Sequence, residues 1–90
     1  SCDFYIVYDF GPKLSGVTYK YNTYKGNSYT CSNTSDPTPT QYQSTTSGTG
    51  ANSTATLGIS LLYPVLIVKI IATKSGYNSS GVRCYEGNWQ

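Results

Sequence analysis

The sequence contains no histidine and no methionine, and only 11% of its 90 residues are charged. Without histidine the commonest general base is missing. The whole carboxylate complement is Asp3, Asp9, Asp36 and Glu86. Asp3 and Asp9 share one face of an extended segment, but six residues separate them, or ~20 Å at strand spacing. A glycosidase pair needs ~5–9.5 Å. No Gly-x-Ser-x-Gly elbow is present to present a nucleophile. The expectation is therefore a protein with no catalytic residues and no cofactor. Metal ligands are equally sparse. With no His and no Cys-x-x-Cys pair a zinc site is not expected. Asn33, Thr34, Ser35 and Asp36 offer oxygens, but one carboxylate is too few for tight calcium binding. The stretch reads instead as a side-chain-bonded turn.

Two further absences bound the partners. A net charge of +2 is too small to point to nucleic acid or an anionic membrane. The most apolar window, 57–72, is broken by Ser60, Pro64 and Lys69 and falls short of the ~20 residues a membrane helix needs. No membrane span is expected. No basic-then-apolar leader is visible and the chain starts at Ser1. It reads as a mature chain whose signal peptide is already removed, or as an excised domain.

What is present is strand chemistry. The stretch 65–71 holds six aliphatic residues interrupted by Lys69. Branching at Cβ in Val65, Ile67, Val68, Ile70 and Ile71 suits a pleated strand. Both of its faces are apolar, which marks a central strand. Leu66, Val68 and Ile70 are expected in the core, touched by Val17, Tyr19, Leu61 and Val82. Over 2–10, Cys2, Phe4, Ile6, Tyr8 and Phe10 alternate with Asp3, Tyr5, Val7 and Asp9, a clean period of two. Gly11-Pro12 ends that strand. Further strands are expected at 16–23, 28–32, 57–62 and 81–86, with a short edge strand at 41–43. Low-complexity 44–56, rich in Ser, Thr and Gly, is expected to be an exposed loop, or a strand only when paired. No window sustains a 3.6 period. The fold class expected is all-β: an antiparallel β-sandwich of about seven strands in one domain spanning 1–90.

The three cysteines, Cys2, Cys31 and Cys84, are widely spaced. In a small hydroxyl-rich chain they read as disulfide partners in an oxidising compartment. The count is odd, so one is free or bonded to another chain. Cys84 is expected to pair with Cys31, or else with Cys2.

The residues IIATKSGYNSS, 70–80, resemble the last stretch of the chitobiase/β-hexosaminidase C-terminal type of immunoglobulin-like domain. Tyr29-Thr30 followed by Ser35-Asp36-Pro37-Thr38 resembles that family's YYTTDGSDPT segment. The resemblance covers roughly 16–82. It departs from the pattern in three places: Asn33-Thr34 replaces the Asp-Gly turn, a Ser/Thr/Gly insertion follows Tyr42, and Cys31 and Cys84 are additional. It implies an immunoglobulin-like sandwich, an accessory module of secreted bacterial proteins, with no catalytic residues of its own. It does not identify a ligand.

Ten tyrosines and one tryptophan supply the sharpest binding signal. Tyr19, Tyr21, Tyr24, Tyr29 and Trp89 would suit a platform for sugar rings. The plainer reading is that Tyr is a large residue of half-buried strands with its hydroxyl reaching water, and alternation places Tyr19 and Tyr21 on the core side. Three glycosylation sequons begin at Asn33, Asn52 and Asn78, all in expected loops.

These features support two expectations about function. The first is an exported, non-enzymatic structural protein of the cell surface that assembles with copies of itself into a filament or surface layer. Its assembly strand would be 2–10, carrying Phe4, Tyr5, Ile6, Val7, Tyr8 and Phe10, wholly apolar on one face and with Tyr5 and Val7 on the other. An edge of that kind templates pairing with another chain. The breaker-rich segment 11–16 would act as a hinge, and Cys2 would be free to cross-link subunits. The second is a carbohydrate-binding or adhesive accessory module, with glycans as partners.

Overall fold

The computed structural model describes residues 2–89. Ser1 and Gln90, which the expected domain includes, lie outside the described residues. The architecture is all-β, with 51% strand and no helix, in two antiparallel sheets packed together as a small β-sandwich. Six strands are present among the described residues: β1 (Phe4–Pro12), β2 (Val17–Gly26), β3 (Ser44–Thr45), β4 (Asn52–Ile59), β5 (Val65–Lys74) and β6 (Arg83–Asn88). One sheet is the pair β1-β4; the other runs β3-β2-β5-β6.

The pattern of period two explains the packing. Phe4, Ile6, Tyr8 and Phe10 on β1 face inward with Ala55, Leu57 and Ile59 of β4. Opposite them stand Val17, Tyr19 and Tyr21 of β2 and Leu66, Val68, Ile70 and Ala72 of β5. Phe10 is the ring at the centre, in contact with Tyr8, Tyr19 and Tyr21. As expected, Leu66, Val68 and Ile70 are buried between the sheets with Val17 and Tyr19 against them. Leu61 and Val82 are exposed and take no part in that core. Leu61 sits in a turn closed by the Tyr63 amide on the Ser60 carbonyl, so β4 stops at Ile59 rather than at Leu62.

β5 is buried on its second face as well, and the cover is a loop. Val65, Ile67, Lys69 and Ile71 are buried there. The connection 27–43 lies across them without a strand of its own, in place of those expected at 28–32 and 41–43. Cys31 is bonded to Cys84 of β6, with Cα atoms 6.0 Å apart. The Lys69 ammonium donates to the carbonyls of Cys31 and Thr34 and pairs with Asp36 at 2.8 Å. The single cation in the apolar run is thus the clamp on the loop. Asn22 and Tyr24 donate to the Ser35 carbonyl, and Lys20 to that of Gln41.

The low-complexity stretch behaves as a strand where it has a partner. Residues 52–56 are the first part of β4 and pair with Val7 to Pro12. Polar side chains do not prevent this, because β1 supplies the ladder and Ser53 and Ala55 turn inward, Ser53 fully buried.

Candidate assembly edge

The structure seats β1 in its own sandwich. Phe4↔Ile59, Ile6↔Leu57 and Tyr8↔Ala55 define its register on β4, with a bulge between Asp9 and Gly11. The expected hinge is an ordered turn: Lys13 donates its amide to the Ala51 carbonyl, and Val17 to that of Leu14. Gly11 and Gly16 adopt φ of 134° and 76° there, a region closed to most side chains.

One edge of β1 remains open. In an antiparallel ladder, opposed residues alternate between pairs that exchange hydrogen bonds and pairs that do not. The Thr54 amide donates to the Ser47 carbonyl at 2.7 Å, away from β1. The pair Asp9↔Thr54 is therefore a non-bonded one, and so are Val7↔Thr56 and Tyr5↔Gly58. The N–H and C=O groups of Tyr5, Val7 and Asp9 consequently point away from β4. They have no backbone partner among the described residues. Tyr5 and Val7 also turn their side chains outward, 67% and 69% exposed.

The other edges of the sandwich are short, charged or partly covered. β3 is two residues long. β4 is crossed at its outer edge by 45–47: Thr54 bonds to Ser47, and the Thr45 hydroxyl donates to the Thr54 carbonyl. β6 carries Arg83 and Glu86 in six residues and is tied by Cys84. Short strands, charges and covering loops are the usual protections against edge-to-edge pairing. β1 has a bulge and Pro12 at one end. Phe4 to Tyr8 carry no charge, no proline and no covering loop. Beneath this edge lie β6, through the ring contact of Tyr8 with Tyr85, and Trp89 just after it, against Phe4. The Arg83 guanidinium donates to the Phe10 carbonyl, which the bulge has released from the ladder.

The electrostatics of the edge are mild. Burial pushes the Tyr8 phenol above its ordinary pKa, with the Arg83 cation pulling the other way. Asp9 accepts from the Gly11 amide and from the Asn52 side chain. Asp3 accepts from the Leu61 amide at the opposite end of the strand.

The remaining expected site residues are dispersed. Cys31 and Cys84 form the disulfide and Cys2 is a free, exposed thiol. Cys2 lies over Gly58, where a side chain would run into its sulfur. Tyr19 and Tyr21 are in the core and Trp89 packs edge-on against Phe4. Of the five aromatic residues considered for a platform, Tyr24 and Tyr29 lie together off the core, ring centroids 5.4 Å apart. Among the sequons, Asn33 is not free in its loop: it accepts from the Thr30 amide and donates to the Ser28 carbonyl. Asn52 opens β4 instead of lying in a loop, because its amide is held by Asp9. Asn78 is in an exposed loop, as expected. Sequence reasoning missed Lys69, whose signal was one cation inside an aliphatic run. Among the described residues no three His, Cys, Asp or Glu side chains gather as a metal set, and no helix is long and apolar enough to cross a membrane.

No protein-family model, curated protein or solved structure matches this chain at a significant level. The residues that carry the chitobiase-type resemblance fall on β5, its following turn and the 27–43 loop, and the comparisons identify no such domain.

Proposed function

We propose that this protein is a non-enzymatic structural protein of the cell exterior that assembles with copies of itself, into a filament or surface layer, with the open edge of β1 as one of its contacts. The observation that carries this reading is the contrast among strand edges. β3 is short, β6 is charged and β4 is covered at Thr54, while the backbone of Tyr5, Val7 and Asp9 has no partner among the described residues and Tyr5 and Val7 expose apolar side chains beside it. Such an edge supports β-strand addition. The Cys31–Cys84 disulfide belongs to an oxidising environment, which supports export. The chitobiase-type resemblance, an accessory module of exported proteins, is compatible with the same compartment.

Light scattering of the intact chain over a range of concentrations tests this. The expected result is a mass that grows with concentration and is lowered at every concentration when Val7 is replaced by Lys. A single-chain mass at every concentration refutes self-assembly. A glycan-binding screen on that monomer then decides for the adhesive-module reading.

A further inference from the structure

The geometry points to a specific docking partner for β1: the β1 strand of a second copy, antiparallel, about a two-fold axis at Val7. This rests on the self-assembly reading and adds the register and symmetry to it. A strand that pairs with Tyr5 and Val7 must itself offer a free row of N–H and C=O groups. On a second copy β3 is too short, β4 is covered at Thr54 by the 45–47 segment and leaves only Thr56 and Gly58 facing outward, and β6 bears Arg83 and Glu86. The longest free row, Tyr5, Val7 and Asp9, is that of β1 itself.

The bonding parity restricts the register to odd residues opposite odd residues, and using all three free residues then selects one. The free groups belong to the odd residues Tyr5, Val7 and Asp9, so these must sit at bonded positions across the new ladder. Antiparallel pairing centred on Val7 sets Val7 against Val7 and Tyr5 against Asp9 of the other copy, and satisfies both strands with about six backbone hydrogen bonds. On the outer face Val7 meets its own symmetry mate, and the Tyr5 hydroxyl comes beside the Asp9 carboxylate. The inner faces continue as well, bringing Ile6 against Tyr8. The two β1-β4 sheets become one four-stranded sheet, β4-β1-β1-β4, which removes the bare edge from both chains. A two-fold contact closes on itself, so this pair is a building unit and growth beyond it uses another surface.

Self-cross-linking reads the register directly. In a Cys2→Ser background, a Val7→Cys chain oxidised with oxidised glutathione should give a disulfide-linked dimer that reductant releases; each bond formed reduces one oxidised glutathione to two thiols. A Tyr5→Cys chain should cross-link severalfold less, because two copies of residue 5 lie ~13 Å apart along the ladder. A mixture of Tyr5→Cys and Asp9→Cys chains should link to each other. Equal self-linking of Tyr5→Cys and Val7→Cys would mean parallel, in-register strands and overturn the inference while self-assembly stands. So would failure of Val7→Cys to link in a Cys2→Ser parent that light scattering shows to be oligomeric. A Cys2→Ser parent that is monomeric at every concentration overturns both this inference and the reading beneath it.

Discussion

The amide of Thr54 donates to the carbonyl of Ser47 at 2.7 Å, and this bond determines which half of the β1 backbone is free. Because Thr54 faces away from β1, its ladder partner Asp9 faces away from β4, and so do Val7 and Tyr5 two and four residues back. Ile6 and Tyr8 are the residues that bind β4. The outer edge of β4 is therefore covered at Thr54, by the loop, while β1 is uncovered from Tyr5 to Asp9 among the described residues.

That division predicts opposite outcomes for proline at adjacent positions. Ile6→Pro removes a donor used within the chain and should cost about 3 kcal/mol or more. Val7→Pro removes a donor directed to the outside, and proline is tolerated at such edge positions. Its cost in denaturant unfolding at low concentration should be clearly smaller than that of Ile6→Pro. Equal losses would mean that the parity assigned to β1 is wrong.

The Cys31–Cys84 bond closes a span of 53 residues. In the chain-entropy model a loop of that length contributes about 4 kcal/mol. Replacing both cysteines by Ser should lower unfolding free energy by that order and increase protease cutting within 27–43, which the bond holds over β5. Unfolding curves that coincide with and without the bond would contradict this.

Lys69 and Asp36 form one ion pair with unequal environments, 6% and 61% exposed. Lys69→Met leaves the Cys31 and Thr34 carbonyls without their donor and should cost about 1–3 kcal/mol. Asp36→Asn removes an exposed charge and should cost no more than ~1 kcal/mol. Thermal melts of the two variants order them, and an Asp36 effect exceeding that of Lys69 would overturn the clamp.

Tyr8 predicts an alkaline limit. Its folded pKa is raised above the ordinary 10.0 by burial, so the fold favours the neutral phenol. This contribution is complete below the unfolded value and is lost as pH rises through about 10 toward the raised folded value. Melting temperatures measured from pH 8 to 11 should fall less steeply for Tyr8→Phe than for the parent. Parallel curves would contradict it.

Much of this was legible in the residues. The period-two alternation of Phe4, Ile6, Tyr8 and Phe10 located β1 and its inner face. The doubly apolar run around Val68 identified the central strand, and of the two partners open to Cys84 the favoured one, Cys31, is the one it bonds. What stayed hidden depends on tertiary context. Residues 28–32 contain Tyr29 and Cys31 in strand-like spacing, but the disulfide and Lys69 hold them as a loop. Leu61 and Leu62 look like the continuation of a strand, yet Ser60 and Pro64 bound a turn there and leave them in water. Asn52 to Thr56 have no apolar signal, and β1 makes them a strand by pairing. The open edge itself has no local signature, because it is set by which neighbour Thr54 chooses.

Amide hydrogen exchange at Tyr5 and Val7, followed against protein concentration, tests the central claim most directly. Ile6 and Tyr8, bonded to β4 within the chain, should be protected at every concentration. Tyr5 and Val7 should exchange rapidly in dilute solution and become protected as concentration rises, when a second strand takes up their free amides. Rapid exchange at both residues in concentrated solution, with Ile6 and Tyr8 still protected, would contradict assembly through this edge.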